Sequence, residues 1–171
     1  MKAKFIILPS TILVLVMTSI VLSFTSKNKL SIDGGWSIVE VQTVKSDCTV
    51  TSTFPKESEA IFSHHYYSFC WTSHVSTVHG WLMADSVKLI RFNQSIINTG
   101  TFELKDSILT TKATFALNPI FVGGLAKFKC SFSGDTLVLT GLSVFSSDNI
   151  SHPIYDSGSH IVNKLLKVRN K

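Results

Sequence analysis

Short segments in which apolar and polar residues alternate, each followed by a tight turn, run through most of the chain and limit the folds open to it. In the clearest segment, Leu137 and Leu139 alternate with Thr136 and Thr140, and the turn residues Gly134–Asp135 precede it. A period of two is typical of a β-strand with one buried face. The pattern predicts eight strands, at residues 36–44, 59–63, 66–72, 99–104, 108–117, 126–133, 136–142 and 160–169.

One stretch between these segments has a helical period instead. Leu89, Phe92 and Ile96 recur three or four residues apart, with Lys88 on the opposite side. Asp85 precedes them and is expected to cap the helix. We therefore predict one helix, between the third and fourth strands.

The order and spacing of the strands predict how they associate. Successive strands are joined by short turns, which favours antiparallel neighbours. Eight such strands are expected to form an up-and-down barrel, because closing the sheet removes its exposed edges. A two-sheet sandwich is the competing architecture. The expected fold class is all-β.

The first residues have the composition of a targeting segment. Lys2 and Lys4 precede an uncharged run, residues 5–24, which is typical of a secretory signal peptide. About 20 apolar residues also suffice to span a bilayer, so an uncleaved membrane anchor is the alternative. We expect a signal peptide or N-terminal membrane anchor over residues 1–26 and a barrel domain over residues 27–171. The protein is then secreted or periplasmic, and it contacts a membrane only through that segment if it is retained.

The charge of the chain bears on its partners. The net charge is +5, from 16 basic and 11 acidic side chains. Without Lys2 and Lys4, 14 basic residues face 11 acidic ones, a net charge of +3. Only two arginines occur, and no basic stripe with interleaved aromatic residues is present. The sequence therefore predicts no nucleic-acid partner.

Three cysteines allow at most one internal disulfide in an oxidising compartment. Cys130 lies between Phe128 and Phe132 in a predicted strand and is expected to be a small buried residue. A bridge between Cys70 and Cys130 is left open, because both residues lie on predicted strands.

Large aromatic rings dominate the face that the alternation turns inward. An eight-stranded barrel is just wide enough either to be filled by its own side chains or to hold one small molecule. If it holds one, Tyr67, Trp71 and Cys70 are candidates for orienting it. The predicted ligand-binding positions are Phe62, Tyr67, Phe69, Trp71, Phe102, Phe115, Phe128 and Phe132.

Several stretches resemble bacterial and fungal proteins of the lipocalin-like domain family. They are Gly34-Gly35-Trp36 at the first strand, then "AIFSHHYYSF", "INTGTFELKDSILTT", "ALNPIFVGGLAKFKCSF" and "GDTLVLTG", in that order. The resemblance implies a barrel whose lower end is closed by Trp36, beside Gly34. It also implies that Arg169, on the last strand, packs over the Trp36 ring, a favourable cation–π contact.

The sequence contains no recognisable catalytic or metal-binding pattern, so we predict no catalytic residues, no metal and no cofactor. His64 and His65 are adjacent and would point to opposite faces of a strand. Three hypotheses remain. The chain is an exported binder of a small hydrophobic molecule, a barrel isomerase or cyclase with Tyr67, His65 or His79 as acid or base, or a filled structural barrel. We favour the first.

Overall fold

The computed structural model describes residues 30–75 and 80–168. The chain divides into two compact units, Met1–Ser31 and Ile32–Lys171, and the elements described here all belong to the second. The strands are β1 (Gly34–Val44), β2 (Val50–Thr53), β3 (Glu57–Ser63), β4 (Tyr66–Thr72), β5 (Ser95–Lys105), β6 (Ile108–Ala116), β7 (Leu125–Ser133), β8 (Thr136–Phe145) and β9 (His160–Lys167). The helices are α1 (Asp85–Asn93), α2 (Pro153–Asp156) and a single 3-10 turn (Pro119–Phe121).

The strands form a closed antiparallel barrel. From β3 to β9 each strand pairs with the next, and β9 pairs back onto β1 from Trp36↔Lys167 to Val44↔His160. β9 occupies one edge of β1. The other edge is shared by β2 and β3, which together act as one interrupted strand. The ring therefore has eight strands. The predicted barrel is confirmed, and the sandwich is wrong because the first and last strands pair.

The interruption between β2 and β3 was not predicted from the sequence. Pro55 lies in it, and proline cannot donate to a strand ladder. Opposite the gap, the Ser58 hydroxyl donates to the Ile38 carbonyl at 2.9 Å and accepts from the Ile38 N–H at 3.0 Å. The Ser58 side chain takes the place of the backbone partner that Ile38 lacks on this edge of β1. It thereby preserves the contact between β1 and β3 across the break.

Two of the hairpin turns at one end of the barrel use residues other than glycine with positive φ. His64 and His65 have φ of 48° and 69°, and Asp106 and Ser107 have φ of 48° and 68°. Two consecutive positive φ values are typical of the type I′ turn, whose twist matches that of the flanking strands. The histidine pair thus adopts the turn in which glycine is usual.

The core is densest at this same end. Trp36, Phe62, Leu137 and Leu165 are each at most 2% exposed there. The Trp36 indole N–H donates to the Ile32 carbonyl at 2.8 Å, so its one polar atom is satisfied inside the core. These side chains close the lower end of the barrel.

Three β-bulges change which side chains face inward. The register between β5 and β6 passes from Thr99↔Phe115 to Gly100↔Ala113, which leaves Thr114 as an extra residue. In the same way, Val39 in β1 has no counterpart in β9, and Leu142 in β8 has no counterpart in β7. An extra residue reverses the alternation beyond it. Strict alternation therefore fails past each bulge.

The predicted helix is present between the third and fourth strands of the ring, as α1. Its cap differs from the prediction, because Ala84 occupies the N-cap position without a side-chain hydrogen bond and Asp85 instead pairs with Lys88 at 2.8 Å. No residue of α1 is buried. Arg91 holds the helix to β3 through Glu57, at 2.6 Å. The helix is thus attached by polar contacts.

The three thiols are free, and the proposed bridge between Cys70 and Cys130 does not form. Alternation along β4 turns Cys70 away from the lumen, where its sulfur lies 3.5 Å from the Ser68 hydroxyl. Cys130 faces inward and is 2% exposed, so its predicted burial is confirmed. The two side chains lie on opposite faces of the sheet.

The cysteines are expected to differ in the reactivity of their thiols. Burial raises the pKa of the Cys130 thiol to about 11 and blocks access to it, whereas Cys48 is exposed. At pH 8 a maleimide should modify Cys48 rapidly and Cys130 only after unfolding, as peptide mapping by mass spectrometry can show. Equal rates at Cys48 and Cys130 in the native protein would contradict this placement.

A carboxylate on the outer face ties together three strands where the barrel closes. Glu40 on β1 accepts hydrogen bonds from Lys164 on β9 at 2.8 Å, from Ser52 on β2 at 2.7 Å and from Gln42 at 2.7 Å. These donors, Lys164 foremost, lower the pKa of the Glu40 carboxyl from 4.5 to about 2. The ionised form is therefore the one that the folded barrel stabilises.

This carboxylate predicts a pH dependence of stability. Because the folded pKa of Glu40 is lowered, its contribution is complete above pH 4.5 and is lost as the pH falls towards 2. Glu40→Gln should cost about 1 kcal/mol at pH 7, since solvent weakens a partly exposed ion pair. Urea unfolding at pH 7 and pH 2.5 should show the gap from wild type closing at the lower pH. Glu103→Gln, at an exposed position on β5, is the control, and an unchanged gap would contradict the prediction.

Candidate functional site

A cavity of about 180 Å³ lies inside the barrel, towards the end opposite the hairpin turns. Its wall comes from eight of the nine strands and from the β6–β7 and β8–β9 connections at that end. Phe121 in the 3-10 turn, and His152 and Tyr155 around α2, cover its upper part. The lower end is closed by the core around Trp36. The cavity thus has a floor of strand residues and a roof of connection residues.

Five of the eight predicted ligand-binding positions line this cavity: Phe62, Tyr67, Phe69, Trp71 and Phe128. Three of them alternate along β4, which has no bulge, so its period of two holds over the whole strand. Their placement agrees with the expected inward face. Ligand binding by these residues stays a prediction.

The other three predicted positions do not line the cavity. Phe115 is 60% exposed, because the extra residue Thr114 turns it outward. Phe132 lies next to a hairpin turn, is 43% exposed, and its ring centroid is 6.1 Å from that of Trp36. Phe102 packs edge-on against Phe62 at 5.5 Å, below the cavity lining. Phe102 and Phe132 therefore pack at the closed end, whereas Phe115 lies on the outer surface.

The residues expected to close the barrel are only partly described. Trp36 lies in the core as expected, and Gly34 has a φ of 124°, with Lys167 close to where a β-carbon would stand. Arg169 lies outside the described residues. A cation does lie over the Trp36 ring, but it is Lys167, whose Nζ is 5.3 Å from the ring centroid and donates to the Asp33 carbonyl at 3.1 Å.

The roof of the cavity was missed by the sequence analysis, which predicted no element between the strands at residues 136–142 and 160–169. The His152 ring stacks on Phe121 at 6.0 Å and meets Tyr155 edge-on at 6.1 Å. Tyr155 packs its hydroxyl over Gly141, where a side chain would have no room. One local signal was available, since His152-Pro153 is typical of a helix start and identifies α2.

The cavity lining is uncharged at neutral pH. Among the described residues, no Asp, Glu, Lys or Arg lines it. Burial raises the pKa of Tyr67 and of Tyr155, so both phenols keep their protons. Burial lowers the pKa of His152, which favours its neutral form. The wall therefore offers apolar surface and neutral hydrogen-bonding groups.

Other kinds of site find little support in the part of the chain that the structure describes. No group of three or more His, Cys, Asp or Glu side chains there is placed to hold a metal ion. Within residues 30–75 and 80–168, no helix has the length and apolar character needed to cross a bilayer. The segment at residues 5–24 lies outside the described residues.

Comparisons of the chain with protein-family models, with curated proteins and with solved structures find no match. What the protein does is therefore inferred from the cavity itself.

Proposed function

We propose that the protein is an exported, lipocalin-like protein that binds one small, uncharged, largely apolar molecule in its barrel. The observation that carries the proposal is the 180 Å³ cavity lined by Phe69, Trp71 and Phe128. Export is proposed from the apolar run at residues 5–24. The lipocalin-like assignment rests on the ordered set of resembling stretches that begins at Gly34–Trp36, and the closed barrel supports it.

The size of the cavity indicates the size of the molecule. In another protein, an apolar cavity of about 150 Å³ binds benzene. Burying about 250 Å² of such a molecule contributes about 6 kcal/mol at 25 cal/mol per Å². That free energy would give a dissociation constant of about 40 µM, and the freedom that the molecule loses on binding weakens the affinity from that limit. A one-ring compound is therefore the expected scale of ligand.

The lining also indicates the charge of the molecule. A charged group that enters an apolar cavity loses its hydration. Without a partner of opposite charge, it gains no interaction of comparable free energy there. No such partner lines the cavity among the described residues. Carboxylic acids and amines should therefore bind far more weakly than neutral molecules of the same shape.

The two alternative functions have less support. A filled barrel is disfavoured by the cavity itself. For an enzyme, His65 lies in a turn at the closed end and His79 lies outside the described residues. Tyr67 does face the cavity, but burial raises its pKa and makes it a weak acid at neutral pH. The geometry favours binding over proton transfer.

Native mass spectrometry after mild purification tests the proposal directly. We expect a bound neutral compound at one per chain. Titration with toluene should then change the fluorescence of Trp71, which lines the cavity, and Trp71→Phe should remove most of that change. A protein that carries no compound and whose fluorescence does not respond to toluene would contradict the proposed function.

A further inference from the structure

Two asparagine side chains in the cavity are left without hydrogen-bond partners. Asn163 on β9 is only 5% exposed, and Asn98 on β5 also lines the cavity. Neither side chain makes a hydrogen bond to any residue that the structure describes. No amide atom of either residue is enclosed by protein without a partner, so both amides are open to the lumen and can bond a molecule that lies in it.

The two amides come from strands on opposite sides of the barrel. Three strands separate β5 from β9 in one direction around the ring, namely β6, β7 and β8. In the other direction β4, β1 and the β2/β3 strand separate them. They therefore lie on opposite walls, and a molecule that fills the cavity has one amide on each side.

Several other polar groups of the lining already have protein neighbours. The Thr111 hydroxyl donates to the Ala126 carbonyl at 3.5 Å and interacts with the Tyr67 phenol. The Tyr155 hydroxyl interacts with the backbone of Ile161. His152 accepts through Nδ1 from the Ile154 N–H at 3.3 Å. Each asparagine amide therefore offers the lumen both a donor and an acceptor, whereas the Trp71 indole and the second nitrogen of His152 offer only an N–H donor.

We propose that the ligand is a neutral compound with an apolar ring and a hydroxyl or carbonyl group at each of two opposite ends, one bound by Asn98 and the other by Asn163. This inference rests on the proposed function. An amide offers both a donor and an acceptor, so it recognises either a hydroxyl or a carbonyl. The aromatic side chains between the two amides hold the ring.

Three probes of nearly equal shape test this inference: p-xylene, p-cresol and hydroquinone, which carry no, one and two hydroxyl groups. Each is titrated into the wild type, Asn98→Leu, Asn163→Leu and the double variant. Leucine has the same branched side-chain skeleton as asparagine but cannot form hydrogen bonds. Asn93→Leu is the control, because Asn93 is exposed at the end of α1.

Each asparagine substitution should weaken hydroquinone binding about tenfold, and the double variant about 100-fold, as expected for one hydrogen bond per amide. Binding of p-xylene should be unchanged or tighter in every variant, which also shows that the cavity is intact. If the asparagine substitutions change p-xylene and hydroquinone binding equally, this inference is wrong but the proposed function stands. If none of the three probes binds the wild type, both the inference and the proposed function are wrong.

Discussion

Replacing Trp36 with alanine is expected to remove about 3–5 kcal/mol of the free energy of unfolding. The side chain is 2% exposed, touches the ring of Phe132, lies beneath Lys167, and donates its indole proton to Ile32. Because domains are stable by only about 5–15 kcal/mol, the loss should lower the melting temperature by about 10–20 °C.

Two further variants separate burial from hydrogen bonding in this result. Trp81→Ala is the matched control, since the Trp81 side chain is fully exposed and its loss should change stability by less than about 0.5 kcal/mol. Trp36→Phe keeps a ring but removes the bond to Ile32, at a cost of about 1–2 kcal/mol. Similar melting temperatures for Trp36→Ala and Trp81→Ala would show that Trp36 does not close the barrel.

Ala113→Phe is expected to abolish ligand binding while the barrel stays folded. Ala113 lines the cavity from β6 and is 7% exposed, so a phenyl ring at this position occupies the space of a one-ring ligand. The dissociation constant for p-cresol should rise by at least about 100-fold. Stability should change by no more than about 1–3 kcal/mol, because the ring enters a cavity instead of a packed core.

The neighbouring position provides the control for this blocking variant. Lys112 is exposed on the outer face of the same strand, so Lys112→Phe adds the same ring outside the barrel and should leave p-cresol binding unchanged. Isothermal titration calorimetry measures both variants. Unchanged binding in Ala113→Phe, with its fold verified by circular dichroism, would place the ligand outside the cavity.

The fold follows from the sequence wherever the local period is uninterrupted. β4 shows this best, since alternation placed Tyr67, Phe69 and Trp71 on one face and the structure has all three in the cavity. The tight turns predicted antiparallel neighbours, and the strand count predicted closure. These features are local, and a short window of residues determines each of them.

Features that depend on the partner strand were not predictable in this way. The bulge at Thr114 is set by the pairing of β6 with β5, and it turns Phe115 outward although the period along β6 points inward. The contact across the interruption between β2 and β3 depends on the Ser58 hydroxyl, which reaches a different strand.

The candidate site was only half predictable for the same reason. Its floor consists of strand residues in phase with the core, but its roof consists of Phe121, His152 and Tyr155 in the connections, where no period applies. The two asparagines fall at inward positions of β5 and β9. That they lie on opposite walls follows only from the order of the strands around the ring.

Crystals soaked with 4-iodophenol test most directly whether the barrel lumen is the binding site, because the anomalous signal of iodine locates the probe. We expect one strong iodine peak inside the barrel, within about 4 Å of the aromatic lining formed by Phe69, Trp71 and Phe128. Peaks confined to the outer surface, such as the exposed face of α1 at Leu89 and Phe92, with the lumen free of probe, would contradict the account.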